Sequence, residues 1–329
     1  MTGQSLKKFI SLWMAGISVF VLTSCGHAVE SPYSAYQTPA DYGLTANQEE
    51  SSGLSFFSSG LCVTEDTNLN TDTVDSQVAA AAGLFNTVTG SVPYKQNIFG
   101  RVYPASTTKV LTALVALKYG NPDDIITVSE NAVNLTEDSS VANLHAGDRL
   151  TLRQLLYGLL LASGNDAAIA IAEGVSGDTD SFVTLMNQEA KALGATQSNF
   201  VNPNGLPDPN HYTTVYDMYL IMNAAIQYPD FVDIIHAASY DAYYTDASGN
   251  AVTRTWQSTN QYITGYRHMP EGVTVIGGKT GTTGDAGYCL VLLSQNSTGQ
   301  NIISLVYRAD ARTNLYLLMG EILEAYSGS

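Results

Sequence analysis

The chain has 329 residues, 45% of them hydrophobic, and 30 acidic against 14 basic side chains give a formal net charge of −16. That length and apolar content suffice for one large domain or two small ones. The acidity argues against nucleic acid and against electrostatic docking on anionic lipid, and the five scattered histidines (His27, His145, His211, His236, His268) lack metal-ligand spacing, so no metal or other cofactor is expected.

Lys7 and Lys8 precede an apolar run from Phe9 that ends in Leu22-Thr23-Ser24-Cys25. A basic start, a short apolar stretch and small residues at its end predict a secretory signal over residues 1–24. The run, about 14 residues long, falls short of the ~20 that a spanning helix needs. Its ending resembles a bacterial lipobox. That likeness implies a lipid on Cys25 and a protein held outside the cytoplasm on the bacterial cell membrane. Residues 25–60 are rich in Ser, Pro, Tyr, Ala, Gln and Gly without a sustained apolar period, and read as a flexible tether. Residues 61–329 are the expected catalytic body.

Within the body, residues 78–88 predict a strand that turns at Thr89-Gly90 and starts its return at Ser91-Val92-Pro93-Tyr94. Residues 106–117, after Pro104, predict a helix apolar on nearly every face and therefore buried. Thr151 and Gln154 form a capping-box pair at the head of a helix running to Ala162. Residues 166–173 and 180–193 predict two more helices, the second closed by Gly194. Strand patterns return at residues 274–278, 288–294 and 302–307, an antiparallel meander with a turn at residues 296–300. Leu315, Leu318, Met319, Ile322 and Leu323 keep helical spacing and predict a last helix lying on that sheet. The sum is an α/β domain: an antiparallel sheet flanked by helices, with an inserted all-helical lobe.

Three short motifs carry chemistry. Ser106-Thr107-Thr108-Lys109 puts a hydroxyl and an amine at i and i+3, on one helix face. A serine becomes nucleophilic when a base takes its proton, and a lysine kept neutral by burial and a neighbouring cation can be that base; Lys279 is the candidate cation. Ser163-Gly164-Asn165 sits between two apolar helices, where the serine can relay a proton and the amide can hold substrate or orient Lys109. An ordinary turn, with Asn165 or Asp166 capping the next helix, is compatible with that role. Lys279-Thr280-Gly281-Thr282 follows a glycine-bearing strand whose edge can pair with an extended peptide, Gly281 leaving room for the approach. Lys279, Thr280 and Thr282 suit a terminal carboxylate, and the Ser106 N–H at a helix start suits an oxyanion.

The three in this order fit the S-x-x-K, S-x-N and K-T-G set. With Asn202-Pro203-Asn204-Gly205-Leu206, His211-Tyr212-Thr213-Thr214 and Asp217, the chain resembles low-molecular-mass penicillin-binding proteins of the serine D-Ala-D-Ala carboxypeptidase family. The resemblance covers the catalytic body. It implies a penicillin-binding-protein/β-lactamase-like fold and hydrolysis through an acyl-serine on Ser106. Its expected partners are peptidoglycan stem peptides ending in D-Ala-D-Ala, and β-lactams. It also implies the Thr282 N–H as second oxyanion donor. Such carboxypeptidases often carry a further β-rich domain and a C-terminal amphipathic anchor; here the N-terminal lipid is expected to replace that anchor.

A class A β-lactamase shares the motifs but needs a glutamate in an E-x-x-L-N loop. Between Gly174 and Lys279 the glutamates are Glu189 and Glu271, followed by Ala190-Lys191-Ala192 and Gly272-Val273-Thr274. An endopeptidase acting on D-Ala-containing cross-links stays open, because cleft width decides it. If Cys25 carries lipid, Cys62 and Cys289 remain, and a disulfide between them stands level with two buried free thiols.

Overall fold

The computed structural model describes residues 60–69 and 74–327. The signal, Cys25 and nearly all of the tether lie outside the described residues. Strand β1 (Ala81–Asn86) turns back into β2 (Tyr94–Gln96), and a 3-10 turn (Ala105–Thr108) leads into helix α1 (Lys109–Tyr119). The middle of the chain holds β3 (Ile125–Thr127), α2 (Glu130–Val133), β4 (Arg149–Thr151), α3 (Leu152–Leu160), α4 (Asn165–Ser176) and α5 (Thr179–Ala192). Then come α6 (Val215–Ala225), α7 (Pro229–His236) and a hairpin of β5 (Ser239–Thr245) and β6 (Ala251–Gln257). Long strands β7 (Val273–Thr283), β8 (Gly287–Asn296) and β9 (Asn301–Ala309) and helix α8 (Arg312–Tyr326) finish the fold.

The main sheet is antiparallel with strand order β2-β1-β9-β8-β7. Both its faces are covered, so its strands read as continuous apolar runs rather than alternating ones. On β8, Leu290 and Leu292 join the core under α8, while Val291 and Leu293 join the core shared with α1 and α6. Leu315, Leu318, Met319, Ile322 and Leu323 of α8 face the sheet, as their spacing predicts. The Thr151–Gln154 capping box forms, and Gly194 closes α5 with φ at 85°.

The inserted lobe is not all helix. It carries a second antiparallel sheet, order β3-β4-β5-β6. Two of these strands have only three residues, and the β5–β6 hairpin turns a largely polar face outward. The hairpin instead anchors through Trp256, which is 3% exposed and donates from Nε1 to Ala142 O at 2.8 Å.

The bridge weighed between Cys62 and Cys289 is not made: both are free, buried thiols. Cys62 Sγ donates to Asn86 O at 3.3 Å, and Cys289 Sγ to Ala286 O at 3.3 Å. Each sulfur is satisfied by a carbonyl in its own neighbourhood.

At the edge of the main sheet, β7 pairs on one side only. Its first half is covered on the other side by α7. His236 Nδ1 bonds Ile276 O at 2.8 Å, and a Cβ on Gly277 would collide with Ile235 O.

Candidate active site

Pro104 opens the turn that presents Ser106, and Ala105 just before the serine has a left-handed φ of 47°. Ser163, between α3 and α4, has φ 58°. For residues other than glycine this region costs of order 1–3 kcal/mol, so the surrounding structure must hold both. Gly205, itself at φ 86°, packs so closely on Ala105 that a Cβ there would collide with Ala105 O. On the other side, a Cβ on Gly281 of β7 would lie 3.1 Å from Pro104 O, Ser106 N and Thr107 N. The turn is clamped between two glycines.

Lys109 is fully buried, its Nζ 3.1 Å from Ser106 Oγ, 2.8 Å from Asn165 Oδ1 and 2.6 Å from Asn204 O. Lys279 Nζ lies 3.0 Å from Ser163 Oγ and 2.9 Å from Thr280 O. Among the described residues, no carboxylate forms an ion pair with either lysine. Burial, reinforced by the nearby Lys279, pushes the Lys109 amine well below its ordinary range, against a smaller opposing pull from Asp166. Burial brings Lys279 down to about 7. A neutral Lys109 has two N–H donors and one lone pair. The donors are taken by Asn165 Oδ1 and Asn204 O, which leaves the lone pair for the Ser106 hydroxyl.

The structure thus brings together Ser106, Lys109, Ser163, Asn165, Lys279, Thr280, Gly281 and Thr282, from three separate segments. Ser106, Ser163, Thr280, Gly281 and Thr282 line one cleft of about 250 Å³. The N-cap of α4 is Gly164, without a side-chain bond, and Asp166 lies in the first turn, its Oδ1 accepting from Ala167 N at 2.9 Å. Its carboxylate accepts from Ala142 N at 2.7 Å and Leu144 N at 3.0 Å, while Asn165 N donates to Ser140 O at 2.8 Å. These bonds hold the 140–144 loop over the second motif and set Ser140 in the cleft wall.

The sequence reading misses Asn204 as a backbone acceptor, and Ser140, Thr259 and Arg312 as cleft residues. Thr259 Oγ1 lies 2.6 Å from Thr280 Oγ1. One signal was present for Arg312. It opens α8, and a cation at a helix N-terminus opposes the macrodipole, so another use for its charge is to be sought. Among the described residues no group of His, Cys, Asp and Glu is arranged to hold a metal ion.

The family model described as D-alanyl-D-alanine carboxypeptidase (peptidase S11) matches residues 68–311. This chain belongs to that family. A family member, the D-alanyl-D-alanine carboxypeptidase DacF of Bacillus subtilis, is 35% identical over 237 residues, which is 70% of this chain and 57% of that protein. The D-alanyl-D-alanine carboxypeptidase of Streptomyces sp. strain K15 is 32% identical over 241 residues, 70% of this chain and 80% of that one. The crystal structure of the Streptomyces K15 DD-transpeptidase superposes with a TM-score of 0.69 at 29% identity, covering 79% of this chain and 98% of that one. Matched segments span little more than half of several of these carboxypeptidases, 57% of the Bacillus protein and 51% of DacA from Haemophilus influenzae. The carboxypeptidase family's fold, an α/β body with antiparallel sheets flanked by helices, is the fold found here.

Proposed function

We propose that this chain is a serine-type D-Ala-D-Ala carboxypeptidase. It removes the terminal D-alanine from peptidoglycan stem peptides through an acyl-enzyme on Ser106. The observation that carries this reading is a fully buried lysine, 3.1 Å from a serine hydroxyl and ion-paired to no carboxylate among the described residues. Burial keeps that amine neutral and able to act as a base.

The peptide lies along the open half of β7, its terminal carboxylate held by Lys279, Arg312 and the hydroxyls of Thr280 and Thr282. Ser106 Oγ attacks the carbonyl of the penultimate residue while its proton passes to Lys109. The negative oxygen is received by the N–H groups of Ser106 and Thr282. As the C–N bond breaks, Ser163 protonates the departing D-alanine and is reprotonated by Lys279, 3.0 Å away. The positive charge has then moved from Lys279 to Lys109. Water, losing its proton through Ser163 to Lys279, hydrolyses the ester; Lys109 returns its proton to Ser106. Both lysines end as they began.

The β-lactamase alternative gains nothing from the glutamates. Both Glu189 oxygens are taken by Lys118 at 2.7 and 2.8 Å, nine residues, or about 13 Å of helix, beyond Lys109. Penicillin label is therefore expected to persist. The test is mass analysis of products from a purified peptidoglycan pentapeptide and, separately, from its cross-linked dimer, alongside labelling by a fluorescent penicillin. Loss of one D-alanine and lasting label, both abolished in Ser106→Ala, are expected. Cleavage of cross-links alone would favour the endopeptidase, and rapid penicillin turnover would favour the β-lactamase.

We further propose attachment to the outer side of the cell membrane through lipid on Cys25, supported by the Leu22-Thr23-Ser24-Cys25 sequence after the apolar run.

A further inference from the structure

Between Ser106 and Lys109 stand two threonines that the proposed chemistry leaves unused, Thr107 and Thr108. Both are fully buried. Each donates its hydroxyl hydrogen to a carbonyl just ahead of the serine. Thr107 Oγ1 gives to Pro104 O at 2.7 Å and Thr108 Oγ1 to Ala105 O at 2.8 Å. These two peptide groups flank the left-handed Ala105 and so fix the direction in which Ser106 points.

Each threonine oxygen is met in turn by a second buried group from a distant segment. Tyr307 OH lies 2.8 Å from Thr107 Oγ1. With the threonine hydrogen spent on Pro104 O, the tyrosine must be the donor. Tyr307 belongs to β9, in the middle of the main sheet. His211 Nε2 lies 2.8 Å from Thr108 Oγ1, and its Nδ1 accepts from Val201 N at 3.1 Å. Nδ1 therefore carries no hydrogen, and Nε2 is the donor. Burial pushes His211 down to about 4, which keeps the ring in this neutral form. His211 precedes α6, on the lobe side of the turn.

We infer that Tyr307 and His211 are paired positioning residues, one from the sheet and one from the lobe. Acting through Thr107 and Thr108, they hold the Pro104 and Ala105 carbonyls and so aim the Ser106 hydroxyl and N–H. A hydroxyl-bearing residue at both middle positions of the first motif is thereby given a function: each is a relay with one donor received and one given. The inference rests on Ser106 being the acylated residue.

The experiment measures the acylation rate by a fluorescent penicillin, with the thermal midpoint recorded for every variant. The variants are Tyr307→Phe, Thr107→Val, His211→Gln, Thr108→Val and Thr108→Ser. Tyr307→Phe, Thr107→Val and Thr108→Val should acylate about 10- to 100-fold more slowly at saturating penicillin, as misalignment at a reacting centre does. Thr108→Ser, which restores the relay hydroxyl, should recover most of the rate. His211→Gln, which can still donate to Thr108, should lose less than Thr108→Val. Combining Tyr307→Phe with Thr107→Val should cost no more than one of them alone, because they break the same chain. Combining Tyr307→Phe with Thr108→Val should multiply the losses. Parent-like acylation in Tyr307→Phe and Thr108→Val, or equal loss in Thr108→Val and Thr108→Ser, would overturn the inference alone. Absence of label on the unaltered chain would instead overturn the acyl-serine reading, and this inference with it.

Discussion

Lys109 and Lys279 differ in what holds their protons, and a pH profile separates them. Lys109 must be neutral to accept the Ser106 proton, and its ordinary range is pushed well down by burial and by Lys279. Lys279 must be charged to reprotonate Ser163, and it loses its proton at about 7. The kcat/KM profile for a D-alanyl peptide should therefore be bell-shaped, with its alkaline limb starting near pH 7 and its acid limb below that. A Lys279→Arg variant keeps the charge but cannot give its proton to Ser163, so kcat should fall far more than peptide binding. Asn165→Asp makes the converse change. It sets a carboxylate where Oδ1 now lies 2.8 Å from Lys109 Nζ, which favours the ammonium form. Acylation at pH 7 should fall on the order of 100-fold, the size of a lost general base, as timed by penicillin labelling. The side chains gathered around Ser106 were legible because three motifs carry them in the sequence, whereas Arg312 of the cleft wall lies in none of the three. Asn204 was not, because it acts through its carbonyl, and any residue type supplies a carbonyl.

Between the elements, Asp166 is a fastening that the sequence showed only in part. Read as a possible cap for α4, it accepts from Ala167 N there, and it also reaches across to Ala142 N and Leu144 N and holds the loop bearing Ser140. Asp166→Asn should destabilise the body by about 1–3 kcal/mol, since one buried N–H loses its acceptor; urea unfolding measures this. Asp166 also favours the charged form of Lys109, so the same variant should move the acid limb of kcat/KM to lower pH. Cap chemistry made α3 and α5 readable, and long apolar runs did the same for β8 and β9. Helices α6 and α7 had comparable cues, Thr214 accepting from Asp217 N and Pro229 at the first position of α7. The second sheet had almost none. Strands of three residues are too short for a period to show, and the outward face of β5–β6 alternates among polar residues and tyrosine.

At the scale of the whole molecule, Cys62 and Cys289 lie in separate hydrogen-bonding neighbourhoods, so among the described residues no covalent cross-link adds to stability. The thermal midpoint should be the same with and without reductant, and thiol titration of a lipid-bearing protein in denaturant should count both cysteines as free. Cys25→Ala tests the anchor independently: the protein should leave the membrane fraction or remain unprocessed, and normal processing with retention would refute the lipid. The division into an antiparallel sheet and a lobe followed from the sequence because strand and helix patterns come in separate blocks. How the blocks meet did not follow. It depends on close backbone approaches at Gly205 and Gly281, where the informative quantity is the side chain that is missing.

The partial cover of β7 bears on how such a protein can be crowded without clumping. A fully open edge of eleven residues would offer a template on which other chains add strands without limit. Here His236 and Ile235 close off the stretch around Ile276 and Gly277. What is left beside the cleft, Thr280 to Thr282, is too brief to nucleate a growing β-assembly. The same helix cover that bounds the docking strip also protects the molecule from its own neighbours.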